Sequence, residues 1–146
     1  MIARVVVAAC LLLCAACAGA PPPPGDGIDL KPCPSSPNCV SSRASDPTHR
    51  VEPFPLHGSA ADGLAALRRA VLALPRSRVT AEGPGFLRAE CTSLIFRFVD
   101  DLEFVVDEPA GVIHVRSASR VGSSDLGVNR KRVETIREQL SAEEKR

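Results

Sequence analysis

The middle of the chain contains the pattern that most restricts its fold, an alternation of apolar and polar residues on both sides of a short break. Segments 101–108 and 111–119 can be paired so that Phe104 lies opposite Val115. The other pairs in this register are Val106 with Ile113, Glu103 with Arg116 and Val105 with His114. Because successive side chains of a strand point to opposite faces, most apolar residues fall on one face. The pattern predicts a half-buried antiparallel hairpin.

A second hairpin is predicted just before the first. Segments 78–82 and 86–91 flank Gly83-Pro84-Gly85, a typical turn sequence. Pairing Glu82 with Phe86 also sets Arg78 opposite Glu90, Val79 opposite Ala89, Thr80 opposite Arg88 and Ala81 opposite Leu87. One face is again apolar, with Phe86 and Val105 as the exceptions in the two hairpins.

Helical patterns flank the hairpins. Ser59-Ala60-Ala61-Asp62 resembles a capping box, and it precedes apolar residues at helical spacing, which are Leu64, Leu67, Val71 and Leu74. A second helix is expected from about Asp125 or Asn129 to Ala142, capped by Ser124 or Asp125. Its apolar stripe consists of Val133, Ile136 and Leu140. We therefore expect an α+β fold, with an antiparallel sheet of four to five strands and two main helices packed on one face.

The amino terminus has the anatomy of a secretory signal peptide. Arg4 precedes an apolar run over residues 5–13, and small residues lead to Cys17. The end of the run resembles a bacterial lipobox, so we expect residues 1–16 to be the signal peptide and Cys17 to be lipidated. Cleavage without lipidation remains the alternative. Residue Ala18 after Cys17 favours outer-membrane sorting in a Gram-negative host.

The segment that follows is rich in proline and small residues, which favour extended chain over a packed core. We expect residues 17–29 to be a tether, residues 30–142 to form one domain and residues 143–146 to be a charged tail. The whole would be an exported lipoprotein on the periplasmic side of a membrane, held there through its lipid.

Composition disfavours nucleic acid as a partner, since the chain has five Phe, neither Trp nor Tyr, and a formal net charge of +1. In the oxidising compartment that export implies, a disulfide is the default for paired cysteines. Cys33 and Cys39 are separated by five turn-forming residues, and a disulfide between them is favoured over a bridge to Cys91. A zinc site is disfavoured by the spacing, and we expect no metal or cofactor.

Two stretches carry most of the polar chemistry. Phe96, Phe98, Leu102 and Phe104 share the even register, which places Asp100 on the core side, where a carboxylate must be paired. Segment 115–130 leaves a strand and enters a helix, so its hydroxyl, guanidinium and amide groups could bind an anion. The candidate ligand-binding residues are Asp100, Asp101, Arg116, Ser117, Ser119, Arg120, Ser123, Asp125, Asn129 and Arg130.

Three roles remain open for these residues. The first is a binding or accessory module for a small anionic ligand or an envelope protein, with Asp100 and Asp101 orienting the arginines. The second is an envelope hydrolase that uses Asp100 or Asp101 with His114, which requires these groups in one cleft. The third is purely structural, with the arginines as internal partners of Asp100, Asp101 and Glu103. We assign no catalytic residue and favour binding.

Three blocks together resemble a known family. They are Cys33-Pro-Ser-Ser-Pro-Asn-Cys39-Val-Ser-Ser, Phe98-Val-Asp-Asp-Leu-Glu-Phe104 and Val115-Arg-Ser-Ala-Ser-Arg-Val-Gly-Ser-Ser-Asp-Leu-Gly-Val-Asn-Arg130. In these blocks the chain is similar to domain of unknown function 1499, over about residues 30–140. That family comprises uncharacterised envelope and plastid proteins. The resemblance therefore implies that the blocks form one site, and it implies no reaction.

Overall fold

The computed structural model describes residues 29–145 of the chain. The expected signal peptide, Cys17 and all of the expected tether except Asp29 lie outside the described residues. Within residues 29–145 no helix is both long enough and apolar enough to cross a membrane.

Six strands and two helices follow one another along the described chain. They are β1 (Cys39–Ser41), β2 (Phe54–Pro55), α1 (Ala60–Ala73), β3 (Ser77–Gly83), β4 (Phe86–Thr92), β5 (Val99–Asp107), β6 (Val112–Ser119) and α2 (Val128–Glu144). The sheet has the order β1-β6-β5-β4-β3, and β2 pairs with another part of β6. All strand pairs are antiparallel, which confirms the α+β class. The sheet exceeds the expected four or five strands because β1 and β2 are too short for alternation to reveal them.

The β5–β6 hairpin has the predicted register. Phe104 lies opposite Val115, and Val105 lies opposite His114. Side-chain alternation was sufficient here because both strands are long and the turn between them is short.

The β3–β4 hairpin matches the prediction only in part. Val79 lies opposite Ala89 as predicted, but Ala81 lies opposite Arg88 rather than Leu87. A β-bulge between Val79 and Ala81 shifts the register by one residue. This bulged strand, β3, forms one edge of the sheet.

Helix α1 begins at the predicted capping box. The Ser59 hydroxyl accepts a bond from the Asp62 backbone N–H at 3.1 Å, and the Asp62 carboxylate accepts one from the Ser59 backbone N–H at 3.2 Å. Leu67, Ala70 and Val71 are the buried residues of this helix. They form part of the core.

Helix α2 begins at Val128 and is capped from outside the helix by Asp125, one of the two predicted caps. Its carboxylate accepts bonds from the backbone N–H groups of Asn129 at 2.8 Å and Gly127 at 3.0 Å. The helix continues through Glu143 and Glu144, which the sequence had assigned to a tail. Glu143 lies 3.0 Å from Arg69 of α1, so an ion pair joins the end of α2 to α1.

The hydrophobic core lies between the two helices and one face of the sheet. Its fully buried members include Leu67, Val71, Leu87, Leu102, Phe104, Ile113, Val115, Val133 and Ile136. We call this side of the sheet the helix face and the other side the open face. Asp100 lies on the helix face as predicted, whereas Phe96 and Phe98 precede β5 and are exposed, contrary to the even-register prediction.

The cysteine pairing follows the prediction. Cys33 and Cys39 form a disulfide, and Cys91 is free and buried in the core. Within residues 29–145 no group of three or more His, Cys, Asp or Glu side chains is placed to hold a metal ion.

Candidate functional site

A buried polar network lies on the helix face, between α2 and the ends of β5 and β6. Asn129 is at its centre and is fully buried. Its amide oxygen accepts bonds from the Ser117 hydroxyl at 2.6 Å and from Arg132 at 2.7 Å. Its amide nitrogen donates to Ser119 at 3.0 Å and to Asp125 at 2.8 Å. Four of the predicted site residues therefore meet here.

The network ends at a buried ion pair between Asp100, which was among the predicted site residues, and Arg132, which was not. The Asp100 carboxylate accepts a bond from Arg132 Nη2 at 2.6 Å, and both side chains are about nine-tenths buried. Arg132 Nη1 also donates to Ser117 at 3.0 Å. Asp100 was expected to be paired, but its partner comes from α2 and not from segment 115–130. Arg132 lies one helical turn before core residue Ile136, so extending the apolar stripe of α2 backwards would have found it.

This ion pair lies at a cleft of about 390 Å³. The cleft has apolar walls and three cationic side chains against one carboxylate. The charged residues are Arg76, Lys131, Arg132 and Asp100; the apolar ones include Leu74, Pro75, Leu94 and Val128, with Cys91 also part of the lining. A cleft of this size admits a small molecule. Its charge favours an anion.

Cys91 is not prepared for nucleophilic chemistry. Burial raises the pKa of its thiol; nearby Arg132 opposes the shift and Asp100 adds to it. The side chain is therefore a neutral thiol at neutral pH, whereas a nucleophilic cysteine needs the thiolate. Within the described part of the chain, the lining of the cleft contains no histidine that could act as its base.

Three predicted site residues lie on the open face instead. Arg120 donates to Asp101 at 2.7 Å and to Glu90 at 2.5 Å, and these bonds raise the pKa of the guanidinium despite its partial burial. Arg116 donates to Glu103 at 3.0 Å, the pair that the hairpin register predicted. Alternating charges on neighbouring strands thus cover this face of the sheet.

The charges of the open face are compensated internally. Burial would raise the pKa of Glu90, but Arg120 and Arg78 outweigh it and lower the pKa overall. A space of about 60 Å³ lies among these side chains, next to Glu90 and Arg120. It has room only for water. We therefore place the candidate site on the helix face.

The last two predicted site residues lie apart from both groups. Arg130 donates to the backbone carbonyls of Arg50 at 2.7 Å and Thr48 at 2.8 Å, so it fastens α2 to the segment before β2. Ser123 is exposed in the loop between β6 and α2. Segment 115–130 is therefore not a single site. Its strand residues are divided between the two faces of the sheet, Arg130 holds α2 to the segment before β2, and Ser123 lies in an exposed loop.

The hydrolase constellation is not assembled. His114 lies on the open face, with Nδ1 3.1 Å from the Ser42 hydroxyl and Nε2 3.6 Å from Asp107. Asp101 shares that face but lies four residues along β5 from the residue opposite His114, a distance of about 13 Å. Asp100 points to the other face. The histidine and the two aspartates do not share a cleft.

One family of known proteins matches this chain over nearly the same residues as the folded domain. The sequence model of this family, described as Protein of unknown function (DUF1499), matches residues 29–140. No curated protein matches the chain significantly. The matched residues include every strand and most of α2, and they include the whole network around Asn129. The chain therefore belongs to the DUF1499 family of proteins of unknown function.

Proposed function

We propose that the chain is an exported envelope lipoprotein, anchored through Cys17, whose domain binds a small amphipathic anion in the cleft next to Asp100 and Arg132. The observation that carries the binding role is the lining of this cleft. Cationic side chains stand beside apolar walls, so a ligand with one anionic group and one apolar group would have partners for both. The ligand class is an alkyl or aryl phosphate or carboxylate.

Arg132 is the recognition residue in this proposal. Its guanidinium has five N–H groups, of which three bond to Asp100, Asn129 and Ser117. Two N–H groups are left for a ligand. Because the three internal bonds fix the plane of the guanidinium, little conformational freedom is lost when an anion binds.

Arg76 and Lys131 supply the remaining charge. Both are exposed at the cleft, and neither has a carboxylate partner in the described part of the chain. Their charge attracts an anion, and Arg76 is held beside the cleft by a bond from its Nε to the Thr92 carbonyl at 2.9 Å. A binding role is favoured over a reaction because Cys91 stays protonated and Asp100 is held by Arg132.

The location rests on the amino-terminal sequence. Arg4, the apolar run over residues 5–13 and the small residues before Cys17 form a signal peptide with a lipobox-like end. A protein bearing several acyl chains stays on its membrane, since each buried methylene contributes about 0.8 kcal/mol. The ligand would then come from the envelope.

Calorimetric titration with octyl phosphate tests the binding role. We expect octyl phosphate to bind more tightly than inorganic phosphate or octanol, because only the first fills both parts of the cleft. Lys131→Glu should weaken binding roughly tenfold, equivalent to about 1.4 kcal/mol. The matched control is Lys145→Glu, which reverses an exposed lysine at the other end of α2. Equal affinities for the two variants would refute the cleft as the binding site.

Intact-mass measurement of the mature protein from membranes tests the anchor. We expect an amino terminus at Cys17 with the added mass of acyl chains, and Cys17→Ser should release the protein from the membrane fraction. A mature chain that begins at Ala18 or later would refute lipidation while leaving the binding role intact.

A further inference from the structure

One end of the domain exposes a group of large apolar side chains that we call the apolar tip. In the loop between β4 and β5, Leu94, Ile95 and Phe96 are 68%, 78% and 72% exposed. Leu126, before α2, is 95% exposed. The remaining members are Phe98 and Val128, each about half exposed. Soluble domains rarely expose contiguous apolar groups of this kind without a partner for them.

The tip has two parts, the loop between β4 and β5 and the residues Leu126 and Val128 near the start of α2, and both lie at the same end of the sheet. Asp100, at the start of β5, lies opposite Ser119 at the end of β6, so the loops that flank these positions are neighbours. Leu94 and Val128 line the same cleft. The tip and the proposed ligand cleft are therefore adjacent.

The backbone holds these side chains outward. The Ser93 backbone N–H donates to the Phe98 carbonyl at 2.8 Å, and the Ser93 hydroxyl accepts from the Phe98 backbone N–H at 2.9 Å. Leu126 adopts a φ of 54°, a conformation that is unfavourable for a residue with a side chain. A fold that only needed a turn here would be better served by glycine or asparagine, so a strained and exposed leucine points to a function of the side chain.

The charges around the tip are basic. Arg97 lies within the loop, and Arg76 and Lys131 are exposed at the adjoining cleft. No acidic residue occurs between Thr92 and Val99. The nearest acidic residue on the other part of the tip, Asp125, is engaged by backbone amides.

We propose that the apolar tip seats in the interface of a lipid bilayer, with the basic residues against anionic head groups. Leucine, isoleucine and phenylalanine side chains bury in the boundary between head groups and acyl chains, while neighbouring arginine and lysine attract anionic lipid. The proposal rests on the membrane location proposed above, but not on the ligand of the cleft.

The amino-terminal chain permits this orientation. Eleven residues separate Cys17 from Asp29, the first described residue, and an extended chain over those twelve Cα–Cα steps reaches about 40 Å. A tether of this reach lets the domain turn any end toward the membrane. The apolar tip would fix one orientation and bring the mouth of the cleft to the level of the head groups.

Tryptophan fluorescence of the full chain with vesicles tests the proposal, because the chain has no tryptophan or tyrosine of its own. The Phe96→Trp variant places a single reporter in the tip, where the native side chain is already exposed. The Ala110→Trp variant places it in the exposed turn between β5 and β6, at the opposite end of the sheet. Vesicles of phosphatidylcholine, with and without phosphatidylglycerol, are made with brominated acyl chains as quenchers.

We expect a blue shift and loss of most of the fluorescence for Phe96→Trp, stronger with phosphatidylglycerol, and neither change for Ala110→Trp. Adding Ile95→Asp and Leu126→Asp to the Phe96→Trp variant should abolish the quenching. Sedimentation with the vesicles is measured in parallel to follow attachment through the amino-terminal segment. Full sedimentation without quenching of the tip reporter would overturn the tip proposal while leaving the anchor intact, and equal quenching of both reporters would also overturn it.

Discussion

Replacement of Asn129 by alanine should destabilise the domain more than any change on the exposed side of α2. Asn129 is fully buried and its side chain makes five hydrogen bonds. Alanine cannot replace any of them. The partners come from four segments of the chain, so the effect should spread beyond α2.

The expected loss of unfolding free energy depends on which hydrogen bonds the partners of Asn129 keep in the variant. A buried hydrogen bond contributes about 1 kcal/mol net, and a bond to a charged group contributes more. The Asn38 carbonyl keeps its bond from the Ser119 backbone N–H, and Arg132 keeps Asp100. The Ser117 hydroxyl, which is fully buried, loses the acceptor of its proton. Five lost bonds with partial compensation amount to about 4 kcal/mol.

Urea unfolding and thermal denaturation measure this loss. A loss of about 4 kcal/mol lowers the melting temperature of a domain of this size by about 15 °C. The matched control is Ser141→Ala, which removes an exposed hydroxyl from the same helix and should change stability by less than about 0.5 kcal/mol. A loss below about 1 kcal/mol for Asn129→Ala would refute the reasoning that the network stabilises the junction of α2 with the sheet.

Three further perturbations test other parts of the fold. Asp100→Asn should cost about 3 to 5 kcal/mol because buried Arg132 loses its counter-charge, and the double change Asp100→Leu with Arg132→Met should regain most of it; an equal loss in both proteins would contradict this. The contribution of Glu90 to the unfolding free energy should be fully present above the unfolded pKa of the group and be lost as the pH falls through its lowered folded pKa, so Glu90→Gln should reduce the loss of stability at acid pH in urea titrations. Replacing Cys33 and Cys39 by serine should cost about 2 kcal/mol, as expected for a short closed loop, and a reductant should then have no further effect on the melting temperature.

Local side-chain patterns were sufficient to predict the β5–β6 register and the start of α1. In both cases the deciding interactions are local in sequence, as in the box between Ser59 and Asp62 or the pairing of Phe104 with Val115 across one short turn. The bulge in β3 was not predictable, because the strand has the same residues whether or not one of them is left out of the pairing with β4. Phe96 and Phe98 continued an apolar alternation, yet the strand begins only at Val99.

Most residues of the polar network were predicted from the sequence, but their division between the two faces of the sheet was not. Consecutive strand residues such as Asp100 and Asp101 point to opposite faces, so a dense polar stretch divides between two surfaces once the strand forms. Arg132 was missed because its partner is 32 residues away in sequence. Arg130 was predicted to belong to the same site, whereas its guanidinium donates to two backbone carbonyls that no sequence pattern marks.

The bulge in β3 has a consequence for how such domains behave when crowded on a surface. An edge strand exposes unpaired backbone groups that can recruit the edge of another copy, and confinement to two dimensions raises the frequency of such encounters. The shifted register between Val79 and Ala81 interrupts the straight row of donors and acceptors that a second strand would need. Arg78 and Glu82, both exposed, add charge to the same edge. If copies are held side by side on a membrane as proposed, they should therefore remain separate, with their apolar tips free for lipid.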